Sequence, residues 1–316
     1  MADQAIGIGT GTRERRGRQW LRVFVVGLLL WVASVVVTFA TGNTNLVPTV
    51  ILLGSFLVPV TFVVFAFERH ADQVLTTQRI FIAFLYGGVL GVLGASILEA
   101  EFLKQPSGLT YLGVGLIEEA VKLAALWVVA WRLPRYTMRD GIVLGATVGL
   151  GFAALESAGY AFTALFTMQG LSLQGLVETQ VLRGVLTPVG HGLWTAILGG
   201  VLFRAAAPAG RLRLSGGLVG WYVVVSLLHG LWDASRGIAV WLTLLLTATQ
   251  VQWSLIQMGR VPEPTQAQVH AFTVISWGLL LVDALLGVAV LRGRWRQALA
   301  LEHAPPASRP TPGPRA

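Results

Sequence analysis

Long apolar runs separated by short polar stretches are the dominant pattern of this 316-residue chain. A helix needs ~20 consecutive, mostly apolar residues to cross the hydrocarbon core of a bilayer. Eight runs are long enough, and they predict membrane-spanning helices at about 23–41, 47–67, 80–98, 109–131, 141–165, 184–204, 217–235 and 271–291. The pattern therefore predicts an all-α protein, a polytopic bundle of transmembrane helices.

The segment 238–258 is apolar only in its first half. Gln250, Gln252 and Gln257 make its second half polar. A ninth span here would also place the arginines that follow residue 291 on the opposite side of the membrane from the other arginine clusters. We therefore predict an interfacial or re-entrant segment at 238–258.

Arginine clusters orient the predicted spans, because cytoplasmic loops carry an excess of basic residues. The clusters lie before the first span and after the second, fourth, sixth and eighth spans. Their members are Arg13, Arg15, Arg16, Arg18, Arg22, Arg69, Arg79, Arg132, Arg135, Arg139, Arg204, Arg211, Arg213, Arg292, Arg294 and Arg296. One orientation places all of them inside, so both termini are predicted to be cytoplasmic.

The two ends of the chain differ in composition from the apolar region between them. We predict a basic cytoplasmic N-terminal tail over 1–22 and a membrane domain over 23–298, with a polar core in 109–235. A tail rich in Pro, Ala and Arg over 299–316 is predicted to be disordered, as are the first twelve or so residues.

Composition agrees with a membrane protein and excludes several functions. The chain is 54% hydrophobic and only 12% charged, whereas soluble domains average about 25% charged residues. It has no cysteine, which excludes disulfides and thiolate chemistry. The net charge of +8 resides in the topology-setting clusters, so no nucleic-acid partner is predicted. The arginine-rich, lysine-poor composition favours a bacterial cell (plasma, or inner) membrane.

Four central spans carry ionisable groups inside apolar sequence, where each costs a few kcal/mol unless it faces a cavity or a partner. Helical spacing lets Lys122 reach two neighbouring carboxylates and places His229 and Asp233 on one face. Similar depths in the four helices predict that the groups meet in one cavity between mid-membrane and the outer surface. The set is Glu118, Glu119, Lys122, Glu156, His191, His229 and Asp233.

Two kinds of chemistry suit such a cavity. Two carboxylates and two imidazoles can bind Zn²⁺ and leave a position open for water. Alternatively, a glutamate and a histidine can activate a water molecule directly, while the other groups stabilise an oxyanion. Both arrangements produce a nucleophilic water inside the membrane, which peptide hydrolysis there requires. The sequence leaves the choice between them open.

The order and spacing of four polar motifs resemble the PrsW family of intramembrane proteases, in the superfamily that includes the CAAX prenyl endopeptidases. The resemblance covers about 110–235. It implies an endopeptidase that cuts a membrane-anchored protein near the outer face, in the best-known case as the first (site-1) cut of an anti-sigma factor. The motifs are Glu118-Glu119-x-x-Lys122, Phe152-x-x-x-Glu156, the segment around His191, and His229-x-x-x-Asp233.

The resemblance also implies roles for individual residues. Either Glu118 or Glu119 would polarise the water, and Asp233 would orient His229. The implied catalytic residues are Glu118, Glu119, Glu156, His191 and His229, with Lys122 in support. The implied zinc ligands are Glu119, Glu156, His191 and His229. In the prenyl endopeptidase branch the segment that matches Phe152–Glu156 ends in histidine, whereas here it ends in glutamate, which leaves open the choice between a metal-dependent and a metal-free mechanism.

Other interpretations of the same residues remain open. Arg183, near the outer end of the sixth span, is a candidate for steering a substrate carbonyl or carboxylate, or it serves topology alone. Glu99 and Glu101 fall outside the third span and are predicted to be solvated. The buried groups would also suit a proton- or metal-coupled transporter. The common depth of the buried groups and the lack of an evident inverted repeat favour the peptidase. Its predicted partners are a membrane-anchored protein substrate and the lipid bilayer.

Overall fold

The structure, a computed structural model, describes residues 18–70, 74–105 and 107–303, and these are overwhelmingly helical. The helices are α1 Gln19–Thr41, α2 Val47–His70, α3 Thr77–Leu85, α4 Gly91–Phe102, α5 Thr110–Val129, α6 Met138–Leu165, α7 Leu173–Leu186, α8 His191–Ala206, α9 Gly216–Thr247, α10 Gln250–Gln257 and α11 Gln266–His303. A two-stranded antiparallel hairpin, β1 Phe166–Thr167 and β2 Gly170–Leu171, pairs Phe166 with Leu171. The predicted polytopic helical bundle is confirmed.

Within the described ranges, seven helical segments are long and apolar enough to cross a membrane, and each coincides with a predicted span. They are Gln19–Thr41, Thr44–Arg69, Thr77–Phe102, Met138–Leu165, Leu173–Ala209, Gly216–Thr247 and Gln266–His303. The remaining predicted span is α5, a helix of 20 residues that carries three charged side chains, Glu118, Glu119 and Lys122. In the third segment a π-helical turn, Tyr86–Leu90, joins α3 to α4.

The sixth span begins earlier than the sequence pattern indicates. The stretch 166–183, which lies between the fifth and sixth predicted spans and would therefore be a loop, contains the hairpin and most of α7, and Ser172 caps the first turn of that helix. Buried Gln180 of α7 donates hydrogen bonds to the carbonyl oxygens of Val50 and Ile51, both at 2.9 Å, and accepts one from Trp31 Nε1 at 2.9 Å. A polar residue therefore fastens α7 to α1 and α2.

The seventh span runs on to Thr247, well beyond its predicted end at 235. The segment 238–258 consequently contains the end of α9 followed by the short helix α10. The amides of Gln252 and Gln268 exchange two hydrogen bonds of 3.0 Å, which hold α10 on the first turn of α11. We call this pair the glutamine clasp.

The structure describes only part of each predicted tail. Helix α1 begins at Gln19, and α11 continues to His303, so the first residues of the predicted C-terminal tail are helical. The ranges 1–17 and 304–316, with Arg13, Arg15 and Arg16, lie outside the described residues. The predicted disorder of those ranges stays a prediction.

Close helix contacts bring the polar motifs together. Helix α6 has more buried residues than any other described helix and packs along α8. A Cβ atom on Gly149 of α6 would lie only 2.2 Å from the carbonyl oxygen of His191, the first residue of α8. A Cβ atom on Gly115 of α5 would lie 2.5 Å from the carbonyl oxygen of Ser226 on α9. These glycines let α5, α6, α8 and α9 approach closely enough for their side chains to meet.

Candidate active site

Helix α5 contributes two acids and a base that share one buried face. Lys122 is fully buried, and Glu118 and Glu119 are 6% and 0% exposed. Lys122 Nζ donates to Glu118 Oε2 at 3.0 Å and to Glu119 Oε1 at 2.9 Å. Two buried carboxylates would repel each other strongly, and the ammonium between them offsets that repulsion.

His229 on α9 contacts the same two acids with its two nitrogens. Its Nδ1 lies 3.0 Å from Glu119 Oε1, and its Nε2 lies 3.6 Å from Glu118 Oε2 and 3.5 Å from Asp233 Oδ2. The indole of Trp194 stacks on the imidazole with ring centroids 4.5 Å apart. Packing and polar contacts together fix the orientation of this ring.

His191 connects α5 to α6. Its Nδ1 lies 2.8 Å from Lys122 Nζ, and its Nε2 lies 2.9 Å from Glu156 Oε2. A lysine ammonium can only donate hydrogen bonds, so Nδ1 accepts and the imidazole proton resides on Nε2, which donates to Glu156. The same Nδ1 lies 3.8 Å from Glu118 Oε2.

Arg183 reaches the site from α7, in a stretch that the sequence pattern assigned to a loop. Its Nη2 forms an ion pair with Glu156 Oε2, and its Nε donates to Ser157 Oγ at 2.7 Å. The guanidinium also lies over the Tyr160 ring, 4.3 Å from the centroid. Arg183 and His191 therefore both contact the same oxygen of Glu156.

A cleft of about 740 Å³ opens beside this cluster, between α6, α7, α9 and α11. It lies near the C-terminal end of α6 and the start of α8, at the opposite end of the bundle from the arginine-bearing loops around Arg132 and Arg211. Three of the candidate catalytic or supporting acids and histidines line it, namely Glu156, His191 and Asp233. A substrate in the cleft would reach the cluster directly.

The donor atoms of Glu118, His191 and His229 lie within 4.8 Å of one another. Two ligands that are each ~2.1 Å from a zinc ion are at most about 4.2 Å apart. The 3.6 Å and 3.8 Å separations from Glu118 Oε2 to the two histidines satisfy that limit. One carboxylate and two imidazoles are also a usual zinc ligand set, so the chemistry of these donors fits zinc.

This grouping differs from the ligand set expected from sequence. Glu119 and Glu156 each contact the ring nitrogen of a histidine that points away from Glu118. Carboxylates in that position typically orient metal-binding histidines without touching the metal. Lys122 is the cation that contacts two of the three donors, Glu118 and His191.

Sequence reasoning missed the position of Glu99. This residue directly follows the third predicted span and was expected to be solvated, but α4 continues past it to Phe102. Glu99 is half-buried and lies within electrostatic range of Glu118 and Glu156. Among the described residues its Oε1 has no hydrogen-bond partner. The one available signal was the length of the apolar run, which does not fix where a helix ends.

Comparisons with known proteins agree with the geometry. Residues 19–256 match the family described as PrsW family intramembrane metalloprotease. A protein named Protease PrsW from Geobacillus kaustophilus (strain HTA426) is 29% identical over 139 residues, which are 43% of this chain and 56% of the relative. The Protease PrsW of Halalkalibacterium halodurans is 30% identical over 156 residues. The Protease PrsW of Bacillus subtilis (strain 168) is 34% identical over 125 residues.

The last two alignments cover 48% and 39% of this chain and 66% and 52% of the relatives. The chain thus spans between about half and two thirds of the length of these relatives. No solved structure matches it significantly. The family match contains every helix that supplies a side chain to the cluster, and the chain belongs to the PrsW family of intramembrane proteases.

Proposed function

We propose that this protein is an intramembrane endopeptidase that hydrolyses a peptide bond of a membrane-anchored protein. The observation that carries the proposal is the buried cluster itself. Glu118, Glu119, Glu156, His191 and His229 come from four helices and form a continuous set of contacts beside an open cleft. Ionisable groups inside a membrane bundle lower its stability, so a cluster of this size indicates a functional site.

Glu118 is the residue best placed to take a proton from the attacking water. Both oxygens of Glu119 are fully buried, whereas Glu118 keeps some exposure and its Oε2 is near both imidazoles. His229, when protonated on both nitrogens, would keep Nδ1–H on Glu119 and offer Nε2–H as a donor to the oxyanion of the tetrahedral intermediate. Asp233 orients His229 from the cleft side, where its side chain is 28% exposed.

If zinc is the cofactor, Glu118, His191 and His229 would hold it. When bound, it would supply a Lewis acid that makes a water molecule more nucleophilic. Glu119 and Glu156 would then keep the two imidazoles in the orientation that the structure shows. Whether zinc or direct activation by Glu118 applies, the same three residues surround the reacting water.

The proposed location is a bacterial cell (plasma, or inner) membrane, with both termini cytoplasmic and the cleft toward the outer face. The arginine-bearing loops support this orientation, because they lie at the end of the bundle opposite the cleft. The proposed substrate class is a single-span membrane protein, with site-1 cleavage of an anti-sigma factor as the expected case.

Co-expression with a single-span substrate tests the proposal. Glu118→Gln and His229→Gln should each abolish cleavage while the protein still inserts into the membrane. Glu101→Gln is the matched control, because Glu101 is exposed and pairs with Lys104 outside the cluster. Cleavage at the wild-type rate by Glu118→Gln would overturn the assignment. Metal or proton flux by the protein in substrate-free liposomes would favour the alternative, a proton- or metal-coupled transporter using the same groups.

A further inference from the structure

Helix α11 forms one wall of the catalytic cleft although it lies beyond the family match, which ends at residue 256. The cleft residues that it supplies are Phe272, Thr273, Ser276, Trp277 and Leu280. They face the same space as Glu156, His191 and Asp233. A part of the chain outside the matched region is therefore in position to touch a substrate.

Ser276 is the most informative residue of this wall. It is 8% exposed, and its hydroxyl has no hydrogen-bond partner among the described residues. Buried hydroxyls are nearly always hydrogen-bonded, because an unmade bond leaves the desolvation cost uncompensated. Since Ser276 lines the cleft, a ligand in the cleft is in position to supply the missing partner.

The rest of the wall is largely apolar. Phe272, Trp277 and Leu280 line the cleft from α11, and Trp232 lines it from α9, next to Asp233. Such a surface accepts a large apolar side chain, and a hydroxyl within it suits a backbone carbonyl or N–H group. This combination fits an extended peptide segment. In a helical segment the backbone N–H and C=O groups already hydrogen-bond to each other, so they are not available to Ser276.

The position of the wall is well defined. The glutamine clasp fixes the first turn of α11, and Thr265 caps the same turn by accepting a hydrogen bond from Gln268 N at 3.2 Å. Ser276 and Leu280 follow on the same helix, which packs against α9. A subsite built on a fastened helix discriminates better than one built on a loop.

We propose that α11 selects the substrate of this protein. Ser276 hydrogen-bonds the backbone of an extended substrate segment, and Phe272, Trp277 and Leu280, with Trp232, bind a large apolar side chain beside the scissile bond. This inference rests on the proposed endopeptidase function and adds the substrate feature that the site recognises.

A panel of single-span substrates that carry Ala, Leu or Phe on either side of the cut tests the inference. Trp277→Ala should lower the preference for Phe over Ala about tenfold, the usual effect of losing part of an apolar subsite. Ser276→Ala should slow cleavage of all panel members by a similar factor without changing that preference. Val274→Ala is the control, because Val274 is 71% exposed on α11 and does not line the cleft.

The outcomes separate this inference from the proposed function. If the wild-type protein cuts the panel and Trp277→Ala and Ser276→Ala behave like Val274→Ala, the α11 inference fails and the endopeptidase proposal stands. If the wild-type protein cuts nothing, both fail together. In the inactive Glu118→Gln background, a photoreactive residue at 276 should cross-link to the substrate and one at 274 should not. Equal cross-linking from both positions would overturn the inference, even if the variants above fold poorly.

Discussion

Lys122 Nζ lies 2.8 Å from His191 Nδ1, which joins the middle of α5 to the first residue of α8. The two residues are 69 positions apart in sequence, and the lysine that makes this contact also bridges Glu118 and Glu119. One ammonium thus determines both the charge balance of the acids and the tautomer of the histidine.

Lys122→Met should destabilise the protein strongly. The substitution leaves Glu118 and Glu119 buried without their counter-ion, which typically costs about 3–5 kcal/mol. Unfolding in mixed micelles by denaturing detergent measures the change. Lys104→Met is the control, because the exposed Lys104–Glu101 pair should contribute no more than about 1 kcal/mol. Similar stability of the two variants would contradict the buried pairing.

Zinc binding distinguishes the two sets of proposed ligands. Glu118→Gln should lose the metal entirely if Glu118, His191 and His229 are the ligands. Glu156→Gln should keep the site and bind zinc roughly 10- to 100-fold more weakly, as expected for loss of a residue that orients a ligand. Titration with a competing chelator measures both affinities. Loss of zinc in Glu156→Gln and retention in Glu118→Gln would favour the set expected from sequence.

Arg183→Lys should reduce the cleavage rate about tenfold with little effect on insertion. Lysine keeps the charge but cannot contact Glu156 and Ser157 with two separate nitrogens, so Glu156 is held less firmly. Rates on one substrate at saturating and limiting concentration provide the measurement. Arg213→Lys, in an exposed loop, is the control. An unchanged rate in Arg183→Lys would reduce its role to membrane topology.

Gly149→Ala should prevent correct packing of α6 on α8. A methyl group would lie 2.2 Å from the His191 carbonyl oxygen, so the helices must separate at a cost of about 1–3 kcal/mol. Gly159→Ala in the same helix is the control, because a Cβ atom there meets nothing within 4 Å. Thermal unfolding in mild detergent compares the two variants, and equal melting temperatures would contradict the close contact.

Asp283→Leu should stabilise the protein. Asp283 on α11 is fully buried, and both carboxylate oxygens lack hydrogen-bond partners within the described part of the chain. Removing an unsatisfied polar group of this kind typically gains about 1–3 kcal/mol. Asp283→Asn should give a smaller gain, since the amide is also polar. A loss of stability in the leucine variant would show that the carboxylate has a partner.

The sequence predicted the contacts within single helices and the membrane spans, because both follow from spacing along one chain segment. Lys122 reaches Glu118 and Glu119, and Asp233 approaches His229, as helical periodicity requires. The sequence could not predict which of Glu118 and Glu119 faces both histidines and which only orients His229. This difference depends on how α5 is rotated against α9, which is set by the contact between Gly115 and Ser226.

Residues that reach the site from outside the four motifs were the hardest to place. Arg183 lies on α7, whose moderate apolarity is also found in loops. The carbonyl groups that hold α7 by accepting hydrogen bonds from Gln180 belong to residues about 130 positions earlier in the sequence. The cleft wall on α11 is likewise a product of tertiary packing. A single sequence contains no local signal for either arrangement.

The glutamine clasp has a consequence for how the protein responds to its surroundings. Each amide donates to and accepts from the other, and each side-chain oxygen also accepts from the N–H of the threonine that begins its own helix, Thr249 or Thr265, so the fastening contains no ionised group. Acidification or added salt alters the charged cluster at the bottom of the cleft but leaves this fastening unaffected. The fixed start of α11, the helix that supplies one wall of the cleft, is thus insulated from the ionic conditions to which the charged cluster is sensitive.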